Sequence, residues 1–231
     1  MKISQKINYF SKAELGLWSG SVILILTAFL FFDRENYMTL SASLIGVTSL
    51  IFAAKGNPVA QVLMVIFSLL YGIISYTFSY YGEMITYIGM TLPMAVVSLI
   101  SWVKNPYSKS EVRIEQLKRN DFIIMLLLSA VVTFIFYFIL DFFDTANIIP
   151  STISVTTSFA AVYLTFRRSP YYALAYALND IVLIILWSMA SLKDITYISV
   201  TVCFAAFLVN DIYGFLNWKT MEKRQLDGIK S

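Results

Sequence analysis

Eight apolar runs, each long enough to cross a lipid bilayer, constrain this chain more than anything else in it. They fall at 15–32, 38–54, 61–79, 84–103, 122–142, 151–166, 171–190 and 195–218. A hydrocarbon core of about 30 Å takes roughly 20 helical residues, with small mismatches absorbed by tilt or local thinning. The runs are continuous, whereas the strands of a membrane barrel alternate. In lipid each backbone N–H and C=O must be satisfied within its own segment, so every run is predicted to be a helix. Only 13% of the residues are charged, against about 25% for a soluble domain. The first dozen residues are polar and basic. No small-residue cleavage pattern follows them, so the first run reads as a retained helix.

Lysine and arginine orient these helices. Lys2, Lys6 and Lys12 precede the first run; alternate loops carry Lys55, then Lys104, Lys109, Arg113, Lys118 and Arg119, then Arg167 and Arg168; Lys219, Lys223, Arg224 and Lys230 follow the last run. That side holds 15 of the 17 basic residues, and the other holds only Arg34 and Lys193. The imbalance places both termini and the 104–121 loop in the cytoplasm, and one missed span would scramble it. The loop itself reads as an ordinary cytoplasmic connection that touches anionic lipid.

The chain also repeats itself. Asn57-Pro58 precedes the third run and Ser169-Pro170 the seventh. Ile85-Thr86-Tyr87-Ile88 opens the fourth, and Ile195-Thr196-Tyr197-Ile198 the eighth. Trp102 ends the fourth and Trp218 the eighth, so the three spacings are 112, 110 and 116 residues. A shift of four helices is even, so both copies point the same way, related by an axis along the membrane normal. The predicted organisation is all-α with a 1+3+1+3 order: a short N-terminus (1–14), an extra helix (15–32), a three-helix bundle (38–103), the basic loop (104–121), a linker helix (122–142), a second bundle (150–218) and a tail (219–231).

The chain has no histidine and one cysteine, Cys203, which removes the commonest general base and metal ligand and any internal disulfide. We therefore expect no catalytic residues, no metal and no cofactor. Cys203 reads as a buried, inert thiol. Polar residues inside a span cost free energy, about 2.5–3.5 kcal/mol for a central aspartate. They cluster at Asn179-Asp180 in the seventh run and Asn210-Asp211 in the eighth. At 100° per residue, Tyr176, Asp180 and Trp187 share a face within about 40°, with Asn179 at its edge. Asn210, Tyr213, Gly214 and Asn217 share another. Gln61, Ser68, Tyr71 and Ser75 form a weaker stripe. Amide donors and acceptors beside flat aromatic faces suit a ring-bearing ligand with hydroxyls; the competing reading is hydrogen-bonded glue between helices. Glu83 reads as a solvated carboxylate at a helix start, and Pro93 as a kink. Trp18, Trp102 and Trp218 read as interfacial belt residues, and the Ser/Thr-rich stretch 152–158 as close packing.

Longer strings carry a resemblance. Tyr80-Tyr81-Gly82-Glu83-Met84-Ile85-Thr86-Tyr87, Gly89-Met90-Thr91, Pro93 and Trp102 resemble the Pnu family of vitamin transporters, in particular its PnuC nicotinamide riboside branch. So do Asn179-Asp180 with Trp187, and Asn210-Asp211-Ile212-Tyr213-Gly214-Phe215-Leu216-Asn217-Trp218; the resemblance covers about residues 15–220. It implies a SWEET-like fold and import of nicotinamide riboside by facilitated diffusion. A cytoplasmic kinase would trap the vitamin for NAD biosynthesis. It implies a substrate site between the bundles at Asn179, Trp187 and Asn210, with Tyr87, Tyr176 and Tyr213. Asp180 and Asp211 join that set as adjacent carboxyls, although other branches of the family carry apolar or small residues there. It also implies a homotrimer in a bacterial plasma membrane, with the bilayer and a small-molecule vitamin as partners and no nucleic acid. Thiamine or riboflavin is the alternative substrate. An intramembrane enzyme built on the two aspartates, or a non-transporting receptor, is the alternative class.

Overall fold

A computed structural model describes residues 9–77, 80–145 and 147–230. Among them, eight helices are long and apolar enough to cross a bilayer. They are α1 (Lys12–Phe32), α2 (Tyr37–Ala54), α3 (Val59–Thr77), α4 (Tyr81–Lys104), α5 (Arg119–Phe142), α6 (Ile148–Phe166), α7 (Tyr171–Ser191) and α8 (Ile198–Lys230). Each predicted run matches one helix. Lys2, Lys6 and the end of the third run at Ser79 lie outside the described residues.

The helix ends differ from the runs where polar chemistry, not apolarity, sets them. Ser11 accepts from Glu14 N at 3.2 Å and Glu14 accepts from Ser11 N at 2.7 Å, a capping box that starts α1 at Lys12. The interruption expected at Pro93 takes the form of a π turn over Thr86–Thr91, where Leu92 N–H reaches back to Tyr87 O. The wider turn comes just before the residue that has no N–H to donate.

Packing follows the repeat. α3 lies between α2 and α4, and α7 between α6 and α8. Across the copies, the first helix of each packs on the third of the other: α2 on α8, and α6 on α4. α1 leans on α2 and α8, while α5 leans on α6 and touches the start of α4. The extra helix and the linker therefore hold corresponding places. Lipid is as apolar as leucine, so helices associate here through close packing and interhelical hydrogen bonds. α5 shows this from the lipid side: only Met125, Ser129 and Leu140 of its 24 residues are buried.

At the end carrying the termini, the copies interlock. Trp102 Nε1 donates to Thr165 O at 2.9 Å, and Trp218 Nε1 donates to Ala53 O at 2.8 Å. Thr165 stands 112 residues after Ala53. Both rings are fully buried with centroids 5.4 Å apart, and Tyr172 packs edge-on against each. These two tryptophans are thus not belt residues: reciprocal packing of the copies carries them inside. Trp18 is half-buried and donates to Thr48 Oγ1, between α1 and α2. The matching loops also share a left-handed residue, Gly56 (φ +64°) and Arg168 (φ +52°), again 112 apart.

The basic loop is more than a connection. It forms a small hairpin, β1 (Pro106–Ser108) and β2 (Glu111–Val112). Val112 is buried, and its N–H donates to Gly56 O at 2.9 Å. Gln225, on the extension of α8 beyond Trp218, donates to Val112 O and accepts from Ile114 N. Beyond the hairpin, Glu115 pairs with Arg167 and Arg168, and Asp121 with Arg167. The loop is a strap across both copies.

Candidate functional site

A narrow cavity lies at mid-height between the two copies. Leu50, Met64, Phe67, Tyr87 and Thr91 line it from the first copy; Ser158, Tyr176, Asn179, Asp180, Phe204, Phe207 and Asp211 line it from the second. It leaves about 30 Å³ for the centres of water-sized molecules. A single water needs about 10–15 Å³, so the cavity has room for water and not for a ring. Larger recesses sit on the outer faces, such as the lipid-facing groove between α5 and α6.

Aromatic clusters close the cavity on both sides. Toward the end that carries the termini stand Tyr172, Trp102 and Trp218, with Tyr172 6.2 Å from Tyr176. Toward the far end, Phe67, Tyr87 and Phe204 meet Tyr71 at 5.5, 4.4 and 5.6 Å. Tyr71 then meets Trp187 at 6.1 Å, and Trp187 packs on Tyr80 and Tyr197. A ring-bearing ligand can pass only if these side chains part.

Five of the eight site residues read from sequence line the cavity together: Tyr87, Tyr176, Asn179, Asp180 and Asp211. Asn179 is held from α6, its Oδ1 accepting from Thr157 Oγ1 at 2.8 Å and Ser158 Oγ at 3.0 Å. The Ser/Thr-rich stretch of α6 therefore positions a site residue as well as packing. Asp180 and Asp211 are both buried and face the same cavity. Trp187 sits in the far-end cluster, seven residues and about 10 Å along α7 from Asp180. Asn210 and Tyr213 turn toward α1: Asn210 Nδ2 donates to Ser21 Oγ at 2.8 Å, and Tyr213 OH to Glu14 Oε1 at 3.2 Å. Asn210 Oδ1 is buried without a hydrogen-bond partner among the described residues.

Phe67, Met64, Phe204 and Phe207 were not singled out in sequence; as apolar residues in apolar helices they carry no signal there. Glu83 is not solvated. It is fully buried where α6 covers the start of α4, and accepts from Ser154 Oγ at 3.2 Å. Cys203 is buried and free, as expected. Among the described residues, no three histidine, cysteine, aspartate or glutamate side chains converge as metal ligands would.

Comparison with known proteins agrees with this architecture. The family model described as nicotinamide mononucleotide transporter matches residues 36–220. A curated relative, the nicotinamide riboside transporter PnuC of Neisseria mucosa, is 26% identical over 200 residues, covering 84% of this chain and 76% of that one. The crystal structure of the vitamin B3 transporter PnuC superposes with a TM-score of 0.82 at 23% identity, covering 94% of both chains. The fold is that of the PnuC structure, and the chain belongs to the nicotinamide mononucleotide transporter family, a family of membrane transporters and not of enzymes.

Proposed function

We propose that this chain imports nicotinamide riboside by facilitated diffusion, and that a cytoplasmic kinase phosphorylates the vitamin and so traps it. The observation that carries this reading is the narrow cavity between the copies, with aromatic rings from both and amide and carboxyl groups from the second. Tyr87 and Tyr176 offer faces and hydroxyls to a planar ring and a ribose, and Asn179 offers its amide. Asp180 and Asp211 add negative charge beside them. Trp187 guards the far side. Asn210 keeps a free carbonyl oxygen and Tyr213 lies below it, so both join the route as the copies separate. The two bundles (38–103 and 150–218) rock about the site, as in other transporters built from repeats.

The lysine and arginine distribution supports a cytoplasmic location for both termini, in the plasma membrane of a bacterium. The family resemblance supports assembly as a homotrimer.

Proteoliposomes loaded with buffer alone should take up labelled nicotinamide riboside with no ion gradient. Unlabelled riboside should compete, and thiamine and riboflavin should not. Uptake that collapses when a proton or sodium gradient is removed would refute facilitated diffusion. Competition by thiamine or riboflavin at equal concentration would replace the vitamin.

A further inference from the structure

Among the described residues, Asp180 and Asp211 are the only carboxyls lining the cavity, and both are buried. No amide, hydroxyl or cationic group among the described residues donates to Asp180 Oδ2. Among the described residues, no lysine or arginine pairs with either aspartate. The titratable groups facing the pair are neutral acids: Tyr87 from the π turn of α4, Tyr172 and Tyr176 from α7, and Cys203 from α8. The nearest carboxylate on α1, Glu14, is already committed to Lys55 and Tyr213. The cavity thus holds two acids, an unsatisfied oxygen and no cation.

Charge accounting decides what such a pair takes. Two carboxylates in contact away from water cannot both stay ionised. One proton held between two such acids in one small cavity leaves one negative charge. In a low-dielectric site that charge needs a partner. A second proton can supply it, or a ligand with a fixed positive charge can, in which case the second proton leaves to water. We infer that the Asp180–Asp211 pair is the charge selector of the site, where a fixed-charge cationic ring and a proton compete for one place. The inference takes its cation from the transport reading above, since the pyridinium ring of nicotinamide riboside carries a permanent positive charge. Tyr87, Tyr176 and Asn179 recognise shape and hydroxyls; the pair sets the preference for a charged over a neutral ring.

Calorimetry on the purified full-length protein tests this with two probes of matched shape, nicotinamide riboside and its uncharged 1,4-dihydro form. Riboside affinity should fall as pH is lowered, by up to about tenfold per pH unit once the pair takes its second proton. The dihydro form should bind more weakly at neutral pH and change little with pH. Asp180→Asn and Asp211→Asn should each flatten the riboside's pH profile and narrow the gap between the probes. Equal affinity for both probes, or the same pH slope for both, overturns the inference, and neither result needs a variant that folds. Thiamine, also a fixed cation, and riboflavin, which is neutral, separate this failure from that of the transport reading. Thiamine binding with the steep slope and no riboside binding overturns the vitamin but keeps the charge rule. Preference for riboflavin overturns both.

Discussion

At the end that carries the termini, the third helix of each copy holds a buried tryptophan that donates to a carbonyl near the end of the other copy's first helix: Trp102 to Thr165 and Trp218 to Ala53. At mid-height this correspondence breaks. Phe67-Ser68 in α3 and Asn179-Asp180 in α7 stand 112 residues apart, in the same place of the repeat, and Phe67, Asn179 and Asp180 all line the cavity. Aromatic rings come from both copies, but among the described residues the amide and carboxyl groups all come from the second. Symmetry is kept where the copies must hold each other and given up where a ligand must be told apart from lipid.

Asn179→Phe, which gives the second copy the residue of the first, should therefore have the largest effect. Nicotinamide riboside affinity should drop by about a hundredfold or more, some 2.7 kcal/mol, since an amide is lost and the cavity is filled. Phe67→Leu on the opposite wall should cost less than about tenfold, because an apolar surface remains. Calorimetry on both variants checks the pair, and equal losses would erase the division of labour between the walls. The tryptophans come next and should behave alike. Trp102→Phe and Trp218→Phe each remove one donor from a carbonyl that keeps a second, Arg168 N on Thr165 O and Gly56 N on Ala53 O, at about 0.5–1.5 kcal/mol. Thermal unfolding in detergent should show similar losses for the two; a silent member would mean that only one copy is held.

Much of this comparison could be read from the chain. Apolar runs reveal helices because lipid leaves no other way to satisfy the backbone, and Asn57-Pro58 with Ser169-Pro170 marks the repeat because both close the same turn. What resisted reading depends on which helix covers which face. Trp102 and Trp218 look like belt residues until α2 and α6 are seen to end over them. Glu83 looks solvated until α6 supplies Ser154. Asn210 and Tyr213 share a face with the repeat's polar residues, yet α1 lies outside the bundles and takes both side chains. The hairpin of the basic loop left no pattern, since its partners Gly56 and Gln225 are distant in sequence.

The two left-handed loop residues offer a finer test of the shared architecture. Gly56 and Arg168 have nearly the same φ, but one copy uses a residue without a side chain and the other uses an arginine that pays for its strain with bonds to Glu115 and Ser101. A Cβ on Gly56 would meet Met221 Cε at 2.9 Å and Val112 Cγ1 at 3.3 Å, contacts that hold the strap. Gly56→Ala should thus cost about 1 kcal/mol, from the positive φ and the displaced methionine tip. Glu115→Gln should cost less, below about 1 kcal/mol, because that ion pair is partly solvated and one hydrogen bond to Arg168 survives the change. Unfolding midpoints of both variants, taken at low and at high salt, distinguish the causes. The Glu115→Gln deficit should shrink with added salt as the lost attraction is screened, and the Gly56→Ala deficit should not move. A salt-insensitive Glu115→Gln deficit would place the strap's stability in packing around Val112 on both sides, and the two loops would then be held in the same way despite their different residues.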